Sequence, residues 1–378
     1  MKTNKKLALI SVVLILFLII ISSTASAATL NVGPKEKYKT IQDAVNHAHE
    51  GDTIIVNSGT YHENVNITKS SLTFLGKGYP KVDGFYDYTD PYSEFGQSDI
   101  NINGFSIIKK GIDLGGKAVS GQIIRNNYFS SCNAYISGEV SSGTIKNNDF
   151  TKGGIVLSDS SVEVIGNKIK NADIGIVLYE GVGGGTVADI SENKITGCNV
   201  GIKFYGASSS DVYDNYFNNK KNILFDSSSS YSANSWNTTK TPDYNIVLGP
   251  YIAGNFWGAP NGKGFSQTAS DKNYDGIADS PYVIDSKNID YLPLVAIKSP
   301  VTSFTMSKSK GKAPLTVYFT DTSKGVNMTE KWSFGDGATS TLKNPSHKYT
   351  KTGKFKVTLT ETNKIGSNSK SQFVTVTK

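Results

Sequence analysis

The segment with the most chemical character runs Asp271-Lys-Asn273-Tyr-Asp275-Gly276-Ile-Ala-Asp279. Side-chain oxygens at positions 1, 3, 5 and 9, with glycine at position 6, reproduce the first part of an EF-hand-type Ca2+ loop. There carboxylate and amide oxygens converge on one hard cation and the glycine permits the sharp turn. Position 12 is Tyr282, where such a loop places a bidentate Glu, so the loop is not a complete EF-hand. Asp285 or a neighbouring turn of chain would have to supply the missing carboxylate. A polar turn without metal accounts for the same residues.

Three more acids recur at one offset. Glu139, Asp159 and Glu180 each lie five residues after Ala134, Gly154 and Gly175, which occupy equivalent places in a repeat. Stacked on successive turns ~5 Å apart, they would repel, raise one another's pKa or recruit a cation. A paired-acid glycosidase wants a similar separation. Acidic residues simply favouring exposed turns is the plainer account. Tyr179 and Tyr205, with Lys203, fall in matching strand slots and are candidates to stack on sugar rings. The long connection from Tyr79 to Asp99, with Tyr86 and Tyr88 among several acids, is a candidate overhang for a groove. In both places packing of outer residues is the competing explanation. Arg125 is the sole arginine; with Lys203 and the three acids it would be the machinery of any catalysis on acidic polysaccharide.

The elements that position these residues follow from a repeat. Asn127, Asn148, Asn167, Asn193 and Asn215 mark one slot, at spacings of 21, 19, 26 and 22 residues. Short β-prone runs such as Gly175-Ile-Val-Leu and Gly201-Ile-Lys-Phe follow at a fixed offset, separated by Gly, Asn and Ser. No unit carries a helical period. A parallel β-coil explains this: turns stack ~4.8 Å apart, like side chains form ladders, and Asn both tolerates a left-handed corner and bonds to the Asn above and below. The open first turn needs a cover. Thr40-Ile-Gln-Asp43 resembles a capping box, and Ile41, Ala44, Val45 and Ala48 share a helical face, with Gly51 closing the helix. From about Pro300 the repeats stop and alternating strands begin.

On these residues the chain resembles known families. Residues 38–65 look like the opening of the pectate-lyase-like β-helix superfamily. The later repeats, Gly254-Asn-Phe-Trp257, the 271–284 segment and Asp290-Tyr-Leu-Pro-Leu294 resemble its NosD-type branch, which is widespread in prokaryotic, especially archaeal, surface and periplasmic proteins. Trp332-Ser-Phe-Gly-Asp-Gly337 and Asn344-Pro-Ser-His-Lys-Tyr349 are similar to the two signatures of PKD domains. The resemblance implies an all-β chain: a single-stranded right-handed parallel β-helix with an N-terminal capping helix over 28–297, then an Ig-like PKD β-sandwich over 298–378. It also implies a spacer or adhesion role for the sandwich. The signatures of pectate lyase (W-x-D-H), pectin methylesterase (G-x-x-D-F-I-F-G) and polygalacturonase (G-H-G) are absent.

Residues 1–27 read as a secretory signal: three lysines, the 15-residue apolar run Leu7–Ile21 and the small-residue site Ala25-Ser-Ala27. The run falls short of the ~20 residues a membrane span needs. Export to the cell surface is therefore expected, with membrane contact only through the signal peptide. The chain has 39 basic and 32 acidic residues, +7; removing Lys2, Lys5 and Lys6 leaves 36 against 32, +4. The charge is dispersed, without basic-aromatic clusters, so nucleic acid is not an expected partner. Sequons at Asn66, Asn237 and Asn327 are candidate glycosylation sites in an exported protein. Copper would require clustered His, Met or Cys, whereas the four His, Cys132, Cys198, Met306 and Met328 are scattered. No organic cofactor is indicated. Cys132 and Cys198 each lie five residues after a repeat Asn, three turns apart or ~14 Å, too far for a disulfide. The residues point first to a surface structural or adhesion protein, with cell-envelope polysaccharide or surface-layer components as partners. The alternative is a lyase, hydrolase or epimerase on acidic polysaccharide.

Overall fold

The computed structural model describes residues 26–87, 96–116, 119–180, 185–206, 209–226 and 233–378, without the side chains of 139–141. Residues 1–25 and Tyr88 lie outside these, so most of the signal segment and one candidate aromatic do too.

The first unit is the expected parallel β-helix. Each full turn contributes strands to three parallel sheets. The first sheet runs from Thr29–Val32 through Thr53–Val56, Thr73–Gly76, Asn101–Asn103 and Gln122–Arg125 to Val187–Ser191 and Asp211–Tyr213. The second includes Tyr128–Ser130, Asp149–Thr151, Lys168–Lys170, Lys194–Thr196, Tyr216–Asn218 and Phe256–Gly258. The third includes Ile174–Tyr179, Val200–Tyr205 and Lys221–Phe225. Two long strands, Ala134–Lys146 and Ile155–Ile165, belong to the third sheet at their starts and to the first at their ends.

Interior positions are filled by stacked apolar side chains. Ile136, Leu157, Leu178 and Phe204 occupy one interior column, and Phe129, Phe150, Ile169, Ile195, Phe217 and Trp257 another; all are buried. Phe129 and Phe150 stack at 4.3 Å. In-register pairing along these columns thus converts a sequence repeat into a continuous core.

Between the first and second sheets runs a buried asparagine ladder. The Nδ2 of Asn127 donates to Oδ1 of Asn148 (3.2 Å), Asn148 to Asn167 (3.0 Å), Asn167 to Asn193 (3.0 Å), Asn193 to Asn215 (3.0 Å) and Asn215 to Asn255 (2.9 Å). Asn255 extends the series beyond the five repeats visible in sequence. Left-handed backbone belongs to the residue before each of the first five ladder asparagines, at Asn126, Asn147, Gly166, Glu192 and Asp214. The ladder asparagines therefore serve as hydrogen-bonding posts, and their predecessors make the corner.

Helix Ile41–His47 covers the first turn. Thr40 accepts from the Asp43 amide (3.2 Å), Ile41, Ala44 and Val45 are buried, and Glu63 takes the amides of Ile41 and Gln42. Carboxylates suit such free amides at a helix start.

The second unit is a β-sandwich. Phe304–Met306, Leu315–Asp321 and Ser346–Tyr349 form one sheet; Lys310–Lys312, Ser367–Thr377, Gly353–Thr362, Thr329–Ser333 and Thr339–Ser340 form the other. Trp332 is fully buried between them with Phe304, Phe319, Val357 and Leu359. The two sequence signatures meet: His347 Nε2 lies 2.7 Å from Asp336 Oδ2, and its ring stacks on Phe334 at 4.4 Å. Both cysteines are free and buried.

Candidate functional site

The outward side of the third sheet carries the tyrosines. The pairings align Tyr86, Asp113, Tyr135, Val156, Val177 and Lys203 in one column. Two residues along, Gly115, Ser137, Ser158, Tyr179 and Tyr205 form the next. Tyr86, Tyr135 and Tyr179 therefore stand two turns apart in succession, ~10 Å along the axis. Between them lie Asp113 with Gly115 and Val156 with Ser158. Tyr179 and Tyr205 stack at 4.6 Å and 13°. The ammonium of Lys203 lies 4.0 Å from the Tyr205 ring centroid and donates to its hydroxyl. Burial first, then Tyr205, raises the Tyr179 hydroxyl pKa, and Tyr135 acts in the same direction. One face of Tyr179 is covered by Tyr205, whereas the turn on its other side carries the small Ser158. This leaves an aromatic step over an apolar floor, with hydroxyls at its edge. Tyr135 was not among the sequence candidates; it becomes visible once Ala134 is paired with Ile155.

That pairing corrects the proposed acid ladder. Ala134 aligns with Ile155, not with Gly154, and three residues, Gly138–Val140, stand opposite the single Asp159. Glu139 thus lies in a bulge, out of line with the other two, and its side chain is outside the described ones. Asp159 and Glu180 follow the paired Ser158 and Tyr179, but the next turn offers Gly206, against which the Glu180 side chain packs. Among the described side chains no third acid completes the column.

A different column is acidic. Glu163, Asp189 and Asp211 pair on consecutive turns of the first sheet, after Thr144. Each lies four residues before a ladder Asn, so counting back from Asn167, Asn193 and Asn215 finds them in sequence; counting forward from Gly154 and Gly175 does not. Partial burial raises the Asp189 pKa, opposed by hydrogen bonding from Ser191 and Tyr213, and the charges of Asp211 and Glu163 raise it further. Its Oδ1 is buried without a partner. Arg125 is on this sheet, in the column of Asn103 and Lys146, whereas Lys203 is on the third sheet. The helix does not bring these two cations together.

The 271–279 segment is a closed turn. Asp271 accepts from the amides of Asp275 (3.1 Å) and Gly276 (3.0 Å), Asp275 from that of Ile277 (3.0 Å), and Asp279 from that of Lys272 (3.2 Å). Lys240 Nζ sits 2.7 Å from Asp275 Oδ2. Partial burial raises the Asp275 pKa, but the ion pair and the Ile277 amide hold it below its usual value. Among the sequons, Asn327 is exposed on a left-handed turn; Asn66 and Asn237 are half-buried, and Asn237 Oδ1 takes the Tyr291 amide.

No helix among the described residues is long and apolar enough to cross a membrane. Among them, one group of three or more His, Cys, Asp or Glu residues draws its ligand atoms together: Asp321, Glu330 and Glu361, all carboxylates, in the sandwich. The histidines are spread out, each beside a carboxylate: His47 with Asp43, His49 with Asp52, His62 with Asp83 and His347 with Asp336. This donor set does not suit copper, which favours gathered imidazole and sulfur ligands.

No curated protein matches the chain. Among solved structures, the PKD1 domain of the Vibrio cholerae metalloprotease PrtV is 33% identical over 21% of this chain and 100% of that one (TM-score 0.19). A solution structure from Methanosarcina mazei is 35% identical over 29% and 80% (TM-score 0.19). Tailspike protein 2 of Escherichia coli O157:H7 bacteriophage CAB120 is 12% identical over 93% and 59% (TM-score 0.33). The PKD domain family matches residues 298–378. The family described as periplasmic copper-binding protein (NosD) matches residues 45–262, more than half the chain, and the chain belongs to it.

Proposed function

We propose that the chain is an exported surface protein that binds a polysaccharide along the third sheet of its β-helix, without cleaving it. The carrying observation is the track Tyr86–Tyr135–Tyr179, with aromatic rings at alternate turns, ended by Tyr205 stacked on Tyr179 from the next turn, above small and aliphatic residues. A parallel sheet is flat along its axis, so an extended chain of sugar rings can lie over several turns at once. Ring stacking supplies affinity, and Asp113, Ser158 and Lys203 supply polar contacts to hydroxyls or carboxylates. The sandwich then serves as a spacer.

The test is a screen of neutral and uronic-acid glycans for both binding and cleavage. Tyr135→Ala and Tyr179→Ala are expected to weaken binding at least tenfold each, with Tyr128→Ala on the second sheet as control. Equal binding by all three variants would remove the third sheet from consideration.

The Glu163–Asp189–Asp211 column favours a second reading, a glycoside hydrolase. Neighbouring turns set carboxylates ~5 Å apart, the separation of a retaining pair, with Asp189 as the raised acid. Cleavage products that vanish in Asp189→Asn and Glu163→Gln would establish it. Calcium at the 271–279 loop also belongs here as a proposal. A cation entering there would displace Lys240 from Asp275, so the expected gain in melting temperature with Ca2+ should be lost in Asp275→Ala.

A further inference from the structure

The corner between the first and second sheets carries a cavity of about 290 Å3 on the outside of the β-helix. Two exposed tyrosines wall one end of it. Strand Thr73–Gly76 is joined to Lys81–Tyr86 by the four residues Lys77 to Pro80, whereas Asn101–Asn103 reaches Ser106–Gly115 through Gly104 and Phe105 alone. The longer corner carries Tyr79 outward on left-handed backbone (φ 55°), an uncommon conformation for a bulky side chain. The turn below presents only Gly104 and Ser106 there, so the Tyr79 ring reaches Tyr128, two turns on, and meets it edge to face at 4.6 Å. Both rings stay open to solvent.

From there the corner runs Asn126, Asn147 and Gly166, one residue per turn. Asn103 Oδ1 holds the Asn126 amide on the rim at 2.9 Å, and the exposed Asn147 amide lies where a Cβ at Gly166 would stand. On the second sheet the outward column runs Tyr128, Asp149, Lys168, Lys194 and Tyr216. Asp149 turns one oxygen to Lys170 at 3.2 Å, and Lys194 lies over the Tyr216 ring at 5.2 Å. Among the described residues Lys168 has no carboxylate partner, and Lys194 repels it from the next turn, ~4.8 Å along the axis. Across the corner the exposed Arg125 and Lys146 pair on adjacent turns, just before Asn126 and Asn147. Glu192 follows Gly166 in the corner, at the end away from the tyrosines. The cavity is therefore aromatic at one end, amide-lined along its floor and flanked by cations.

We propose that this corner binds a single acidic sugar ring, a hexuronate residue, with its carboxylate at Lys168. Tyr128 and Lys168 stand two turns or ~10 Å apart, which leaves room between them for one pyranose ring and its carboxylate. The ring packs on Tyr128, and its hydroxyls meet the amides of Asn126 and Asn147 and the second oxygen of Asp149. The carboxylate offsets the repulsion between Lys168 and Lys194 through a charge-assisted hydrogen bond. This site is on another face from the third-sheet track and does not depend on it. Contact with one ring is weak beside contact spread over four turns, so losing Tyr128 leaves the binding of long chains by the third sheet in place.

The experiment titrates the full exported chain with methyl glucuronide and with methyl glucoside, reading binding by saturation-transfer NMR. The glucuronide should bind about tenfold tighter than the glucoside, the worth of one charge-assisted hydrogen bond. Lys168→Gln should bring the glucuronide down to the level of the glucoside, Tyr128→Ala should remove the signal of both, and Tyr179→Ala should change neither. Tyr128 and Lys168 are both exposed, so these variants keep the core intact. Acetate at the same concentration should not displace the glucuronide. Equal affinity for the two glycosides, unchanged binding in Lys168→Gln or Tyr128→Ala, loss in Tyr179→Ala, or displacement by acetate would each overturn the proposal. Failure of the third-sheet reading has a separate signature, since it is scored on long glycans with Tyr135→Ala and Tyr179→Ala.

Discussion

The amide of Ala28 donates to Oδ1 of Asp52 at 2.6 Å, while Oδ2 of the same buried carboxylate takes the His49 amide at 2.8 Å. Ala28 is the residue immediately after Ala25-Ser-Ala27. Cleavage at that point would turn this amide into an ammonium and give Asp52 a charged partner inside the first turn. The secreted chain is expected to begin at Ala28 by intact mass. Asp52→Asn should cost the processed chain about 1–3 kcal/mol, and the unprocessed chain less. A different first residue, or equal losses in the two forms, would count against this.

Asn167 sits in the middle of the ladder. Its Oδ1 accepts from the Asn148 amide (2.9 Å) and side chain (3.0 Å), and its Nδ2 donates to Ile145 O (2.8 Å) and Asn193. Asn167→Ala leaves these buried groups unpaired and is expected to cost about 2–5 kcal/mol in urea unfolding. A loss within experimental error would mean that water replaces the side chain.

Asp290 caps the ladder, accepting from the Asn255 amide, the Trp257 indole and the Leu292 amide. Burial pushes its pKa up to about 7 even against these donors. An unfolded Asp titrates near ~3.9. The folded state therefore holds the proton more tightly, and the stability this gives is complete below about pH 4 and lost as pH rises through about 7. Asp87 and Asp214, also raised to about 7 chiefly by burial, act in the same direction. The β-helix should be more stable at pH 5 than at pH 8, by on the order of 2 kcal/mol per group. Unfolding curves that coincide at the two pH values would refute it.

Cys132 and Cys198 are in one column, with Gly153 and Ala172 on the turns between. Burial raises both thiol pKa values, which suppresses the reactive thiolate. Both should resist alkylation in the folded chain and take two adducts after unfolding without reductant. A mass two protons light would indicate a disulfide and a different register.

Much of the fold was legible because a β-helix writes its period into the chain. The five asparagines, the interior columns and the capping residues Thr40 to Ala48 each state a local requirement that the sequence satisfies visibly. The two PKD signatures did the same for the sandwich, down to the buried Trp332.

What the sequence by itself determined, then, was the coil, its cap, its division from the sandwich and the column shared by the cysteines. On its outside, the acidic column could be read by counting back from the ladder asparagines, whereas the register around Glu139 and the alignment of Tyr135 were decided only by tertiary structure. A bulge of three residues opposite Asp159 shifts the register between Ser137 and Ser141, and because side chains alternate at period two, one residue of misalignment moves an acid off its neighbours. That removed Glu139 from the predicted ladder, while strand pairings outside the bulge set Tyr135 in line with Tyr86 and stack Glu163, Asp189 and Asp211. The meeting of Asp321, Glu330 and Glu361 lies further still from sequence. Two of them pair across an antiparallel ladder and the third comes from the opposite sheet. No local pattern encodes that distance; it follows from how the two sheets close over the core.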